Sequence, residues 1–186
     1  EACPKDPEQI KATGRYHLLR GKMLKATLAY GKVKRHMDPE EERDLRIQLC
    51  ELEANYKRVV ELWGQRLDNS SDMSHVLTNL ALAVRWNGDA EAAKKIAAKG
   101  MEVLDELLGK FQINEPNYRT RRSVLLALLG RVEEARSELD RARKCPLCKT
   151  CTYGSCKDAD IFEGYIEEIA GNRAKAKELY LAGQKN

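Results

Sequence analysis

Residues 80–97, LALAVRWNGDAEAAKKIA, decide how this chain reads. Before Gly88 the apolar residues recur at helical spacing, and Ala81 puts a small side chain into the apolar seam. After it, Ala93 and Ala97 do the same on a second helical pattern. The polar break Asn87-Gly88-Asp89 lies between them, and glycine is the residue that ends a helix in the left-handed conformation at least cost. The stretch therefore predicts two helices joined by a tight turn, with small residues that allow close approach and larger ones filling the seam on either side.

The same pattern recurs along the chain. Gly21, Gly130 and Gly171 each occupy a polar break, with Ala26, Ala135 and Ala176 five residues later. Gly14, Ser123 and Gly164 supply the small residue seven places earlier, as Ala81 does. Nine places after the turns come Tyr30, Leu139 and Tyr180. The long gap between Gly21 and Gly88 holds another copy, in which Ala54-Asn55-Tyr56 replaces the glycine turn and Val59 and Trp63 follow at the two offsets. Successive turns are then 33, 34, 42 and 41 residues apart. Leu45, Leu49, Leu52, Tyr56, Val59 and Trp63 also read as one uninterrupted seam, so a single long helix over 40–67 is the competing reading of that copy.

This register resembles the tetratricopeptide repeat (TPR) family, whose unit of about 34 residues is a helix–turn–helix with a small residue, a glycine turn and an alanine at these offsets. His17, Cys50 and Glu167 stand where the family pattern has an aromatic or aliphatic side chain. The fold expected from the resemblance is all-α: a right-handed solenoid of about ten antiparallel helices. It forms one domain over 1–186, with units near 7–39, 40–73, 74–115, 116–156 and 157–186. A lone hairpin buries only one of its faces, so its neighbours must stack on it. The helices are placed at 7–20, 22–36, 40–53, 56–68, 74–87, 89–107, 117–129, 131–144, 158–170 and 172–183. Asp72, Ser74, Asp89 and Asn117 are candidate N-caps.

Composition agrees with this class. The 186 residues are 33% charged and 6% aromatic, which favours helices with charged outer faces over a β-sandwich. No apolar run reaches the roughly 20 residues of a membrane span. A net charge of +4 is too mild to imply nucleic acid, and nucleic acid is not an expected partner. Residues 111–157 are locally basic, with Arg119, Arg121, Arg122, Arg136, Arg141 and Arg143, and a solvated helix face accounts for them. Phosphate-binding loops, zinc-protease motifs and nucleophile elbows are absent, and the histidines are scattered, so no enzyme is expected. The pairs Glu133–Glu134 and Glu167–Glu168 read as solvated surface. No basic-then-apolar leader is visible, and a cytoplasmic location is expected, with export the alternative if the cysteines are oxidised.

The TPR resemblance implies that a protein or peptide binds along the concave face lined by the first helix of each pair. Carried over by register, the expected partner-binding residues are Leu82, Arg85, Trp86, Arg121, Val124, Leu128 and Tyr165. Curvature that buries the apolar members between repeats is the competing reading. Leu179 and Leu181 in the last hairpin raise the expectation of a homodimer through the C-terminal unit.

One chemical feature stands apart from the repeat. Cys145, Cys148, Cys151 and Cys156 lie within the junction between the last two hairpins. Four thiolates satisfy a closed structural zinc site, and the flanking Lys144, Lys149 and Lys157 would offset its charge. Two disulfides, redox-active thiols or an iron–sulfur cluster are the alternatives, the last two making the protein a metal- or redox-responsive regulator. The zinc reading predicts tightly held zinc by elemental analysis of the purified protein, unaffected by mild oxidant. A brown preparation, or reversible thiol oxidation coupled to partner release, would replace it with sensing.

Overall fold

The computed structural model describes residues 38–67, 72–108, 110, 115–144 and 159–183. The first expected hairpin and the four clustered cysteines lie outside the described residues. Within them the chain forms eight helices and no strand. It divides into two compact units, residues 1–64 and 65–186.

In the first unit, α1 (Pro39–Leu52) starts at Asp38, whose carboxylate accepts from the backbone N–H of Glu40 and Glu41 at 2.9 Å each. Pro39 lacks an N–H, and the first helical position has no use for one. Glu40, Glu41 and Glu42 place negative charge on the positive end of the helix dipole. α2 (Tyr56–Gly64) buries Val59, Leu62 and Trp63. The single long helix over 40–67 is therefore not formed. Ala54 breaks it at φ 52°, the one described non-glycine residue with positive φ. Cys50 is a half-buried free thiol on α1, and burial pushes its pKa up.

The second unit contains three hairpins: α3 (Met73–Trp86) with α4 (Ala90–Leu108), α5 (Glu115–Leu128) with α6 (Val132–Arg143), and α7 (Ala159–Ile169) with α8 (Arg173–Gly183). α5 packs on α3, α4 and α7, and α6 packs on α7, so the hairpins stack in chain order. The boundaries follow the sequence reading to within a few residues. Asp72 caps α3 through the N–H of His75, and Asp89 accepts from the N–H of Ala92. Ser74 and Asn117, also read as caps, lie inside their helices. Ser74 instead donates its hydroxyl to Asp72, and α5 already begins at Glu115.

All four described hairpins turn by the same backbone device. The N–H of Gly88 donates to the carbonyl of Arg85, and that of Asp89 to Val84. Gly130 and Arg131 repeat this onto Ala127 and Leu126, and Gly171 and Asn172 onto Glu168 and Glu167. Ala54 and Asn55 repeat it onto Glu51 and Cys50. These paired bonds satisfy carbonyls that the helix end leaves orphaned, and they require the left-handed conformation at the turn residue. The three glycines meet this at φ 82–98°.

The small-residue seam is equally literal. A Cβ added at Gly164 would lie 2.6 Å from Cδ1 of Tyr180, so α7 and α8 close only because position 164 has none. The core beneath the hairpins runs through Ala81, Ala97, Leu104, Leu125, Ala135, Leu139 and Ile166. The buried hydroxyls of Thr78 and Thr120 are satisfied by the carbonyls of Ser74 and Pro116 at 2.7 and 2.6 Å. Leu181 is the exposed large apolar side chain of the described residues. Among those residues no helix is long and apolar enough to cross a membrane.

Ala54 adopts a conformation that costs an L-residue about 1–2 kcal/mol. Glycine relieves that strain but loses more entropy on folding. Ala54→Gly is expected to stabilise the chain by about 0.5–1 kcal/mol in urea unfolding, the net of those two effects.

Candidate functional site

The structure separates the seven residues read as a partner-binding strip. Leu82, Val124 and Leu128 are 3%, 0% and 5% exposed and belong to the core of the second unit. The open apolar strip expected along these residues is filled here, because α5 packs against both α3 and α7 and covers it. Trp86 and Tyr165 are half-buried against the same core and meet edge to face, with ring centroids 5.5 Å apart. Tyr165 also contacts Phe162 and Tyr180 at 5.9 and 5.7 Å. The third and fifth hairpins are thus joined by an aromatic contact.

Arg121 is committed elsewhere. Its guanidinium donates to both carboxylate oxygens of Asp72 at 2.9 and 2.8 Å and to the Ser74 hydroxyl at 2.7 Å. Burial alone would raise the Asp72 pKa, but Arg121, Ser74 and the His75 N–H hold it below its usual value. An arginine read as a groove cation is a brace from α5 to the cap of α3.

Four other arginines of the basic stretch act in the same way. Arg119 donates to the buried Glu138 at 2.6 Å, tying α5 to α6. Arg122 reaches Asp105 on α4 at 3.1 Å and Glu138 at 3.4 Å. Arg143 joins α6 to Asp160 and Glu163 on α7 at 3.2 and 2.8 Å. Arg136 makes a forked pair with Glu167 at 3.0 and 2.9 Å. Most of the expected solvated basic face is therefore a set of inter-helix braces, whereas Arg141 is exposed and pairs with Glu138 within α6 at 3.5 Å.

Glu167 is the largest departure from the sequence reading. Its side chain is buried, whereas its neighbour Glu168 is exposed and accepts the Tyr180 hydroxyl at 2.6 Å. Asn172 and Lys175 donate to Glu167 at 2.7 and 3.0 Å, completing its shell. Burial pushes the carboxyl pKa up, and the donors from Arg136, Asn172 and Lys175 outweigh it, leaving a pKa of about 2.

Away from these braces a cleft of about 260 Å³ opens between the turns of the third and fifth hairpins. It is lined by Arg85, Trp86 and Gly88 on one side and Glu168, Ile169 and Arg173 on the other. Arg85 and Trp86 belong to the expected strip and Ile169 to the concave face carried over by register, whereas Gly88, Glu168 and Arg173 were missed. The signal for Glu168 was in the register. Glu168 and Ile169 precede Gly171 by the same three and two places by which Arg85 and Trp86 precede Gly88. Arg85 and Arg173 take part in none of the ion pairs of the described residues.

No protein-family profile matches the chain, and no curated protein matches it in sequence. Among solved structures it is similar to BtubC (BKLC) from P. vanneervenii, at 18% identity and a TM-score of 0.53, over 96% of this chain and 78% of that one. The kinesin light chain TPR-like repeats of Podosopora anserina align over 98% of this chain and 96% of theirs, at 15% identity and a TM-score of 0.47. The fold is TPR-like. At these identities the likeness is one of architecture, and it rests here on the hairpin stack and its repeated turn.

The Glu167 network carries a pH dependence. Its native pKa of about 2 lies below the ordinary value of 4.5. The stabilisation is therefore complete above the ordinary value and disappears as pH falls toward the native one. Glu167→Gln is expected to lose about 2 kcal/mol at neutral pH, from weakened charge-assisted bonds. It should also flatten the acid limb of stability, measured by urea unfolding across a pH series.

Proposed function

We propose that the protein is a non-enzymatic interaction scaffold, a right-handed TPR-like solenoid of five hairpins and about ten helices that binds a protein or peptide. The observation that supports this most is how the charged groups are divided. Arg119, Arg121, Arg122, Arg136 and Arg143 on α5 and α6 are tied into ion pairs that hold helix to helix. Arg85 and Arg173, beside a half-buried tryptophan, are left without an ion pair among the described residues. Ionisable groups used this way rigidify a surface rather than move protons.

The filled strip narrows where a partner would meet the second unit. Leu82, Val124 and Leu128 stabilise the stack, while Arg85 and Trp86 still border open space. Tyr165 contributes by holding Trp86 in place.

Affinity capture from nuclease-treated source lysate tests this reading. The tagged chain is expected to retain one or more proteins that untagged folded chain competes away and heat-unfolded chain does not retain. Retention only of nuclease-sensitive material, or of nothing, would remove the scaffold reading.

A further inference from the structure

We propose that the cleft between the Gly88 and Gly171 turns is a receptor for an acidic side chain of a partner peptide, its carboxylate held between Arg85 and Arg173. This rests on the scaffold reading and deepens it by naming a place and a chemistry. Arg85 lies in the last turn of α3 and Arg173 is the first residue of α8, so the two guanidiniums reach the cleft from different hairpins.

Size and charge select the occupant. At about 260 Å³ the cleft is smaller than the roughly 300–1,000 Å³ of small-molecule sites, and it suits one side chain of a longer ligand. Two guanidiniums face one lining carboxylate, Glu168, which leaves a single positive charge in excess. That excess matches a monoanionic carboxylate better than a dianionic phosphate. A nucleic acid strand needs a run of unpaired cations, and the nearby basic stretch spends its arginines on Glu138, Glu167, Asp72 and Glu163. Guanidinium–carboxylate pairing is directional, so an opposed pair of arginines also orients the peptide.

The remaining lining describes the rest of the ligand. Trp86 and Ile169 give the cleft apolar walls, so an apolar residue next to the acidic one is favoured. The indole is held by its edge contact with Tyr165 and pays little to order on binding. A Cβ added at Gly88 would meet nothing within 4 Å, so the turn leaves room for a peptide backbone to approach.

The test is selection from a random-peptide display library on the immobilised full chain, followed by calorimetric titration of the most enriched peptide. Enriched sequences are expected to carry Asp or Glu beside an apolar residue. The double variant Arg85→Gln, Arg173→Gln should bind the chosen peptide about tenfold or more weakly, because each change removes a charge-assisted bond. Its helicity and melting temperature should match the parent's, since neither side chain braces the fold. Glu168→Gln should bind as well or better, and a single-stranded oligonucleotide should not compete. Peptides without an acidic residue, equal affinity for the double variant, competition by the oligonucleotide, or no enrichment would each overturn the assignment. If the double variant also captures the same lysate proteins as the parent, the cleft fails while the scaffold reading stands.

Discussion

Each described hairpin depends on one residue held in the left-handed conformation at the end of its first helix. That residue lets two successive N–H groups reach back to carbonyls the helix would otherwise leave unpaired, and so sets the direction in which the second helix leaves. The seam is then decided by what fits between the helices. At the fifth hairpin this is absolute, because Tyr180 occupies the space a side chain at Gly164 would need. The second hairpin keeps the same bonds with Ala54, which shows that the turn is enforced by packing and hydrogen bonding on both sides even where the residue itself resists it.

Charge holds the hairpins to one another, and the braces are unequal. Exposed pairs within one helix, such as Lys94 with Glu91, contribute little because water screens both partners. Glu138 and Glu167 differ because their carboxylates are buried. A carboxylate without partners there would cost more than the fold could recover. Glu167 is met by three side chains from α6, the α7–α8 turn and α8, so this shell ties the fifth hairpin to the fourth. The braces therefore fix orientation between helices, while the apolar core supplies most of the driving force.

The turn, the seam and the helix count per hairpin were legible in the sequence because they depend on neighbours within one unit. Gly88, Ala93 and Ala81 announce a hairpin through offsets alone. Features that depend on distant partners were not legible. Arg121 read as a groove cation because its partner, Asp72, lies 49 residues away in the chain. Glu167 and Glu168 are adjacent on one helix, and nothing local tells which of them turns inward to meet Arg136. Leu82, Val124 and Leu128 have the spacing of a continuous apolar face. Whether such a face is a groove or a core is decided by how closely α3, α5 and α7 approach, which the repeat offsets do not specify. The cleft was half legible, since Arg85 and Trp86 were singled out but Arg173 enters from another hairpin.

A filled strip changes what the stack can offer a ligand. With Leu128 sealed beneath and Trp86 pinned against Tyr165, the third and fifth hairpins cannot open a long apolar trough without breaking core contacts. The proposed recognition on this unit uses its edge, where helices end and turns begin. Edges of this kind hold few side chains, but the backbone beneath them is firm, because each lies within two or three residues of a locked turn. Arg85 precedes Gly88 by three positions and Arg173 follows Gly171 by two, so the backbone that carries each guanidinium is set by the same paired hydrogen bonds that make the hairpins. The device that specifies the fold thereby also fixes the two backbone positions from which the arginines reach the cleft.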